Sequence, residues 1–301
     1  MPSNSIAAEA QNTLARLQTQ DGLALHTQAW PVTGATRGTV LIVHGLGEHI
    51  GRYAHVAAQL NAWGWSVVGY DQRGHGRSEG PRGRLPAAND LLVDLAMVMD
   101  AVRTSHRGPL VLLGHSLGGL IAARFVAGGI GVVEPWFREV DALVLSSPAL
   151  DPGMNAGQKM LLALLGNLAP NLAVNNGLKP EWISRDAAVV RKYIADPLVH
   201  DRVTPRLVRF ILDGGATVRD RAARWWVPTL LMWAGSDRCV APAGSVAFAA
   251  AVPGAVLSAH EFKPLFHEIF NEPERGEVFA VLGDWLTMRV AHAAGATDAV
   301  S

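Results

Sequence analysis

The stretch 110–120, LVLLGHSLGGL, leaves little freedom to the rest of the chain. LVLL is a short apolar run of the kind that fills a parallel strand buried on both faces. Gly118-Gly119 and the following LIAARFVA read as a helix. Between them, Gly114-His115-Ser116-Leu117-Gly118 is a G-x-S-x-G match, which demands a sharp strand-to-helix turn. The turn lifts the Ser116 hydroxyl above the sheet, and the flanking glycines keep other side chains clear of it. The new helix turns unpaired N–H groups and the positive end of its dipole towards Ser116, which favours negative charge there.

The flanking sequence supplies strands and helices in alternation, the signature of a mostly parallel sheet covered on both faces. Segment 13–30 reads as an edge hairpin around Asp21-Gly22. Strands are expected at 38–43, 65–70, 142–146, 228–234 and 255–258. Helices are expected at 52–63, 87–104 (with Asn89 or Asp90 near its cap), 240–251 and 273–289. The rhythm stops between 151 and about 220, where helical segments follow without a clear strand. The expected organisation is thus a core over 1–150 and 221–301 with a helical cap inserted at 151–220, at the carboxyl ends of the strands where α/β folds keep their ligands. Segment 160–174, MLLALLGNLAPNLAV, reads either as a helix buried against the body or as a lid that lines an acyl tunnel and touches membrane.

Bulk properties exclude several classes. With 301 residues, 49% of them hydrophobic, the chain is long enough for a sizeable core. Its 26 basic side chains balance 26 acidic ones, against the basic excess of a nucleic-acid binder. A single cysteine forms no internal disulfide, and no Cys/His spacing matches a zinc site. The first residues lack the basic start and apolar run of a signal peptide, and no apolar run has membrane-spanning length. A cytoplasmic protein without metal or organic cofactor is expected, its oligomeric state left open with a homodimer among the options.

Three further places bear on chemistry. The glycine-rich loop after the strand at 38–43, His44-Gly45-Leu46-Gly47-Glu48-His49, has the place and composition of half an oxyanion hole, with the Leu46 amide as donor. A metal site from His44, His49, His55 and His75 competes, but no helical i, i+4 histidine pair or H-E-x-x-H is present. His44 reads instead as a residue that bonds loop backbone. In the polar loop 71–78, Asp71 and Arg73 read as pins that hold the loop near the site. Downstream, Asp237 follows a strand at the active edge of the sheet, with Asp213 and Asp220 as alternatives in the insertion. Either His260 or His267 can supply a base, and His267 is preferred because His260 comes directly off its strand.

The strings HGLGEHIGRY (44–53), YDQRGHGRSEG (70–80), GHSLGG, IADPLVHD (194–201) and GSDRCV with its following FHE resemble the monoacylglycerol lipase and lysophospholipase branch of the α/β-hydrolases. The resemblance spans about 14–288, and the first string together with GHSLGG is far more specific than either part. It implies an α/β-hydrolase core with a helical cap, and Ser116 as nucleophile, Asp237 as orienting acid and His267 as base. It also implies oxyanion donors at the amides of Leu46 and Leu117, and a polar end of the substrate held by Glu48, Arg52, His115 and Tyr193. The run EFKPLFHEIF departs from the family's usual glycine and aromatic residues before the histidine. Cys239 reads as a buried inert cysteine. The function implied is hydrolysis of lipid carboxylic esters through an acyl-enzyme, monoacylglycerol first, with lysophospholipids or small esters as the alternative. Acyl transfer and haloperoxidase chemistry use the same three residues. A non-catalytic ligand sensor, the reading from a different class, would usually lack one of them. Peripheral membrane contact through the cap is a further expectation.

Overall fold

The computed structural model describes residues 17–106, 108–155, 157, 158, 160, 162, 166 and 168–297. In chain order the elements up to the insertion are β1 (Leu17–Gln18), β2 (Ala24–Leu25), β3 (Thr27–Trp30), β4 (Thr39–Val43), α1 (Ala54–Ala62), β5 (Ser66–Tyr70), α2 (Asp90–Ser105), β6 (Leu110–His115), α3 (Leu117–Ala127) and β7 (Ala142–Ser146). They continue with β8 (Val174–Asn175), α4 (Ala187–Ala195), β9 (Arg202–Val203), α5 (Pro205–Arg221), β10 (Thr229–Ala234), α6 (Pro242–Ala251), β11 (Leu257–Phe262) and α7 (Arg275–Thr297).

Seven strands make one sheet in the order β11-β10-β7-β6-β4-β5-β3. All neighbours run parallel except β3, which lies antiparallel to β5 at the edge. The apolar runs fit because both faces are covered. Leu41 and Val43 point to the side of α2, α3, α5 and α6, while Val40 and Ile42 pack with α1 and α7. After β5 the chain crosses back over β4 to lay β6 on its other side, with Val43 opposite Gly114. That switch brings the loop after β4 beside the turn after β6, the crevice where open α/β sheets bind ligands.

Two local readings change. The last strand runs to Phe262 and not to 258, so His260 is a strand residue paired opposite Met232. The insertion contains an antiparallel pair, Val174 opposite Val203, although no strand is expected there. Each strand of that pair has two residues, too short for an alternation to be read. The N-terminal hairpin closes with Leu17 opposite Leu25, and its expected beginning, 13–16, lies outside the described residues. Of 160–174, residues 161, 163–165 and 167 also lie outside; Met160, Leu168 and Leu172 are exposed, and Leu162 is buried.

Asp71 and Arg73 hold the loop after β5. Asp71 accepts from the amides of Ile50 (2.7 Å) and Arg77 (2.8 Å). The buried Arg73 guanidinium donates two bonds to Asp94 on α2 (2.6 and 2.7 Å) and reaches Asp21 in the first hairpin at 3.0 Å. A planar five-donor fork suits such bidentate pairing, and its position ties three separated segments together.

Candidate active site

Ser116 is where the β6–α3 turn is tightest. Its φ of 53° lies in the left-handed region, a cost of about 1–3 kcal/mol for a non-glycine residue. The surroundings hold it there: the Ser116 amide donates to Ser146 O (3.0 Å), and Ser116 O accepts from Leu120 N and Ala149 N (both 3.0 Å). The glycines on either side admit no side chain. A Cβ on Gly114 would stand 2.4 Å from Gly118 O, and one on Gly118 would stand 2.0 Å from Val43 O. Strand β4, helix α3 and the turn are therefore pressed backbone to backbone, and Ser116 is left half-buried at the crevice. Leu117 begins α3, so its amide has no helical carbonyl to bond.

Facing it is the loop after β4. Gln72 N donates to His44 Nε2 (2.9 Å), which leaves the His44 proton on Nδ1 to donate to Gly45 O (2.8 Å). Glu48 accepts from Gly45 N (2.6 Å), from Tyr53 Oη (2.7 Å) and from Arg52 (2.6 Å). Burial alone would raise the Glu48 carboxyl, but the charge of Arg52 and these bonds bring it down to about 2. Arg52 also binds Glu268 with both nitrogens at 2.7 Å, and its guanidinium lies 4.8 Å from the Tyr193 ring of α4.

Asp237 and His267 come from the loops after β10 and β11. His267 Nδ1 donates to Asp237 Oδ2 at 2.7 Å, and Asp237 Oδ1 accepts from the amides of Cys239 (2.8 Å) and Val240 (3.1 Å). Burial pushes the His267 imidazolium towards losing its proton, yet the Asp237 charge outweighs it and raises the group above the ordinary histidine value. Asp237 is correspondingly held below the usual carboxylate value: burial works against ionisation, and His267 more than compensates. With Nδ1 committed, Nε2 is the nitrogen left to accept a proton. His115, buried beside Ser116, has its ring 4.8 Å from that of His267, and burial and the neighbouring imidazole lower it to about 4.

Two cavities meet at Ser116. One, of about 330 Å³, is lined by Ser116, His267, Glu48, His115, Tyr193 and Glu268 among others. The other, of about 480 Å³, shares Ser116 and Leu46 and runs along Leu117, Ala149, Trp182, Val203, Val208 and Ile211. Both are mainly apolar; the first differs in gathering Glu48, His115, Tyr193 and Glu268 beside the loop after β4. Arg52 stands behind the first cavity, between Glu48 and Glu268, and borders a neighbouring space of about 10 Å³ with His115.

The structure brings His267 to Asp237, while His260 is exposed on β11 against Phe262. Asp213 and Asp220 are exposed on α5. The four histidines of the competing metal reading do not converge: His49 bonds Asp196, His55 lies 3.0 Å from Phe270 O, and His44 and His75 pack ring to ring. Among the described residues, the one trio with metal-like donor spacing is Asp237, Cys239 and His267, and its Asp–His contact is the hydrogen bond just described. Sequence reading passed over Glu268 and Glu272. Glu272, fully buried, accepts from Ser184 Oγ (2.7 Å), Arg185 Nε (2.6 Å) and the Phe266 amide (3.1 Å). The available cue was a carboxylate directly after the candidate base and another five positions on.

Residues 34–274 match the family model Hydrolase_4, described as serine aminopeptidase, S33. A monoacylglycerol lipase of Mycolicibacterium smegmatis is 34% identical over 269 residues, covering 88% of this chain and 93% of its own length. An uncharacterised abhydrolase domain-containing protein of Dictyostelium discoideum is 30% identical over 94% of this chain, which spans only 30% of that longer protein. Among solved structures, a monoacylglycerol lipase of Paleococcus ferrophilus superposes with a TM-score of 0.78 at 33% identity, covering 89% of this chain and 99% of its own.

Proposed function

Because the chain belongs to the Hydrolase_4 (serine aminopeptidase S33) family of α/β-hydrolases, we propose from its site that it cleaves lipid carboxylic esters, monoacylglycerol to glycerol and fatty acid first among them. The observation that carries the substrate class is the meeting at one serine of two cavities, one of which gathers Glu48, His115, Tyr193 and Glu268 while the other runs along Leu117, Ala149, Trp182, Val203, Val208 and Ile211. An amphiphilic ester fills both, with its carbonyl at Ser116. In this reading His267 Nε2 takes the Ser116 proton as Oγ attacks the ester carbonyl. Asp237 holds the imidazole in the productive tautomer and stabilises its positive charge. The Leu46 and Leu117 amides receive the oxyanion, glycerol leaves with the proton from His267, and water then releases the fatty acid from Ser116.

Glu48, His115 and Tyr193 are assigned to the polar end of the substrate, and Arg52 supports them from behind. Four carboxylates, Glu48, Asp196, Asp201 and Glu268, line that cavity against one ammonium, Lys179. Arg52 is already neutralised by two of them. This balance supports a neutral polyol over the phosphate of a lysophospholipid. The same proposal takes 151–220 as the cap, with α5 as its base against α3 and α6. It also includes peripheral membrane contact through exposed Met160, Leu168, Leu172 and Ile194. Among the described residues no helix is long and apolar enough to cross a membrane.

Glycerol release from monoacylglycerol, compared with hydrolysis of lysophosphatidylcholine, tests the reading. Turnover at least tenfold faster on monoacylglycerol, lost in Ser116→Ala together with fluorophosphonate labelling, is expected. Retained activity in Ser116→Ala, or preference for the phospholipid, overturns it. Liposome flotation without binding removes the membrane contact alone.

A further inference from the structure

The loop that carries Leu46 is gripped from two directions. On the Gly45 side the loop closes on itself, with its own Glu48 taking the Gly45 amide and His44 the carbonyl, and the core holds these two through Arg52, Tyr53 and Gln72. On the far side the grip comes from the insertion. Gly47 O accepts from His200 N at 2.8 Å, and His49 Nε2 donates to Asp196 Oδ2 at 2.8 Å. Gly47 adopts a φ of 77°, and a Cβ there would stand 2.2 Å from His200 O, so the two backbones are in direct contact. Leu46 lies between the two grips.

Asp196 and His200 belong to one stiff turn. Asp196 closes α4 with its amide on Tyr193 O, and its Oδ1 accepts from Leu198 N (2.9 Å). Its carbonyl accepts from Val199 N (3.2 Å), and Pro197 holds the preceding residue extended. With Oδ1 used inside the turn, Oδ2 is aimed at His49. The pair is mostly shielded, with side-chain exposures of 11% for His49 and 25% for Asp196.

We propose that Asp196, acting through His49, is a positioning residue for the Leu46 oxyanion donor, so that the docked insertion is part of the catalytic apparatus as well as a cover for the acyl chain. This rests on the hydrolase reading above. A cover contributes through the acyl chain and its effect grows with chain length. A positioned amide contributes to the charge on the carbonyl oxygen and its effect is the same for every ester. That difference separates the two roles.

The test uses the whole protein, with active sites counted by end-point fluorophosphonate labelling, on p-nitrophenyl acetate, butyrate and octanoate. Removing an oxyanion donor outright typically costs about 10²–10³ in kcat, so a displaced donor should cost about tenfold or more. Asp196→Ala and His49→Ala should each lower kcat by that factor equally on all three esters, with KM within about twofold. Affinity for a trifluoromethyl ketone, whose hemiketal oxyanion occupies the same hole, should fall by the same factor. The double variant should be no worse than either single one, and Asp196→Asn, which can keep its oxygen on Leu198 N and offer its NH₂ to a His49 that accepts at Nε2, should recover part of the loss. Should Asp196→Ala not fold, His49→Ala carries the same test from the core side. A loss confined to octanoate, a loss expressed in KM, or unchanged ketone affinity overturns the inference and leaves the hydrolase reading standing. A wild-type protein inert on all three esters and unlabelled brings down both.

Discussion

Glu48 offers a prediction whose size follows from its surroundings. It is buried, accepts three hydrogen bonds and pairs with Arg52, and its carboxyl sits at about 2 where 4.5 is ordinary. A carboxyl depressed on folding stabilises the native state at pH values above its unfolded value, and that stabilisation is lost as pH falls towards the folded value. The full gap corresponds to roughly 3–4 kcal/mol at about 1.4 kcal/mol per pH unit. The folded protein need not be taken to pH 2 to see it. At pH 3.5 the unfolded carboxyl is about nine-tenths protonated and the folded one is still ionised, which removes on the order of 1 kcal/mol of stability. Other depressed carboxyls, Asp237 among them, add acid sensitivity to the wild type and to the variant alike. The comparison is therefore between wild type and Glu48→Gln, by urea unfolding at pH 7 and pH 3.5. The wild type should lose on the order of 1 kcal/mol more than the variant over that interval. Equal losses would mean that the Arg52–Glu48 contact does not hold this charge in the folded state, and the account of the loop would fail with it.

On an ester series, kcat/KM should rise about fourfold per methylene from acetate onwards until the apolar cavity is filled, at about 0.8 kcal/mol per CH₂; a steady fall from acetate would refute the acyl assignment. The acid limb of kcat/KM should lie above pH 6.5, because His267 must be neutral to accept a proton and Asp237 raises it. Asp237→Asn should move that limb down and lower kcat by about 10³-fold or more, and an unmoved limb assigns it to another group. His267→Ala should abolish turnover while His260→Ala, altering an exposed strand residue, should leave it within about twofold, as measured on p-nitrophenyl butyrate. Gly118→Ala should destabilise by about 3 kcal/mol or more in thermal unfolding, since its methyl would meet the Val43 carbonyl at 2.0 Å.

What could be read from the sequence was whatever depends on neighbours a few residues apart. The continuous apolar runs TVLIV and LVLL and the G-x-S-x-G turn are local patterns. They place β4, β6 and Ser116 within a residue or two. The His260 strand was harder. SAHEF lies at a sheet edge with only one neighbouring strand, and most of its residues are exposed or half-exposed, so it lacks the continuous apolar run that marked the others. The Asp196–Pro197 dipeptide reads as a turn signal, which it is; nothing in its neighbourhood indicates a bond to a histidine 147 positions earlier. Ion pairs across such separations depend on the packing of elements that periodicity can predict only one at a time.

The segment 266–272 shows why the proposed base and the insertion belong to one structural unit. Its successive residues bind in different directions: the Phe266 amide donates to Glu272, His267 to Asp237, and the Glu268 amide to Ile183 O in the insertion at 2.8 Å. The Glu268 carboxylate meanwhile takes Arg52 from the loop after β4, and Glu272 takes Ser184 and Arg185. An imidazole on a loop of this length would sample several orientations if its neighbours were free, and each held neighbour removes some of that freedom. The partners that hold it lie partly on the core and partly on the insertion. The same division holds for the loop around Leu46, gripped by Glu48 on one side and by His200 and Asp196 on the other. The groups assigned to proton transfer and to charge stabilisation thus share the insertion as a common support, so a displacement of that segment large enough to admit substrate disturbs both together.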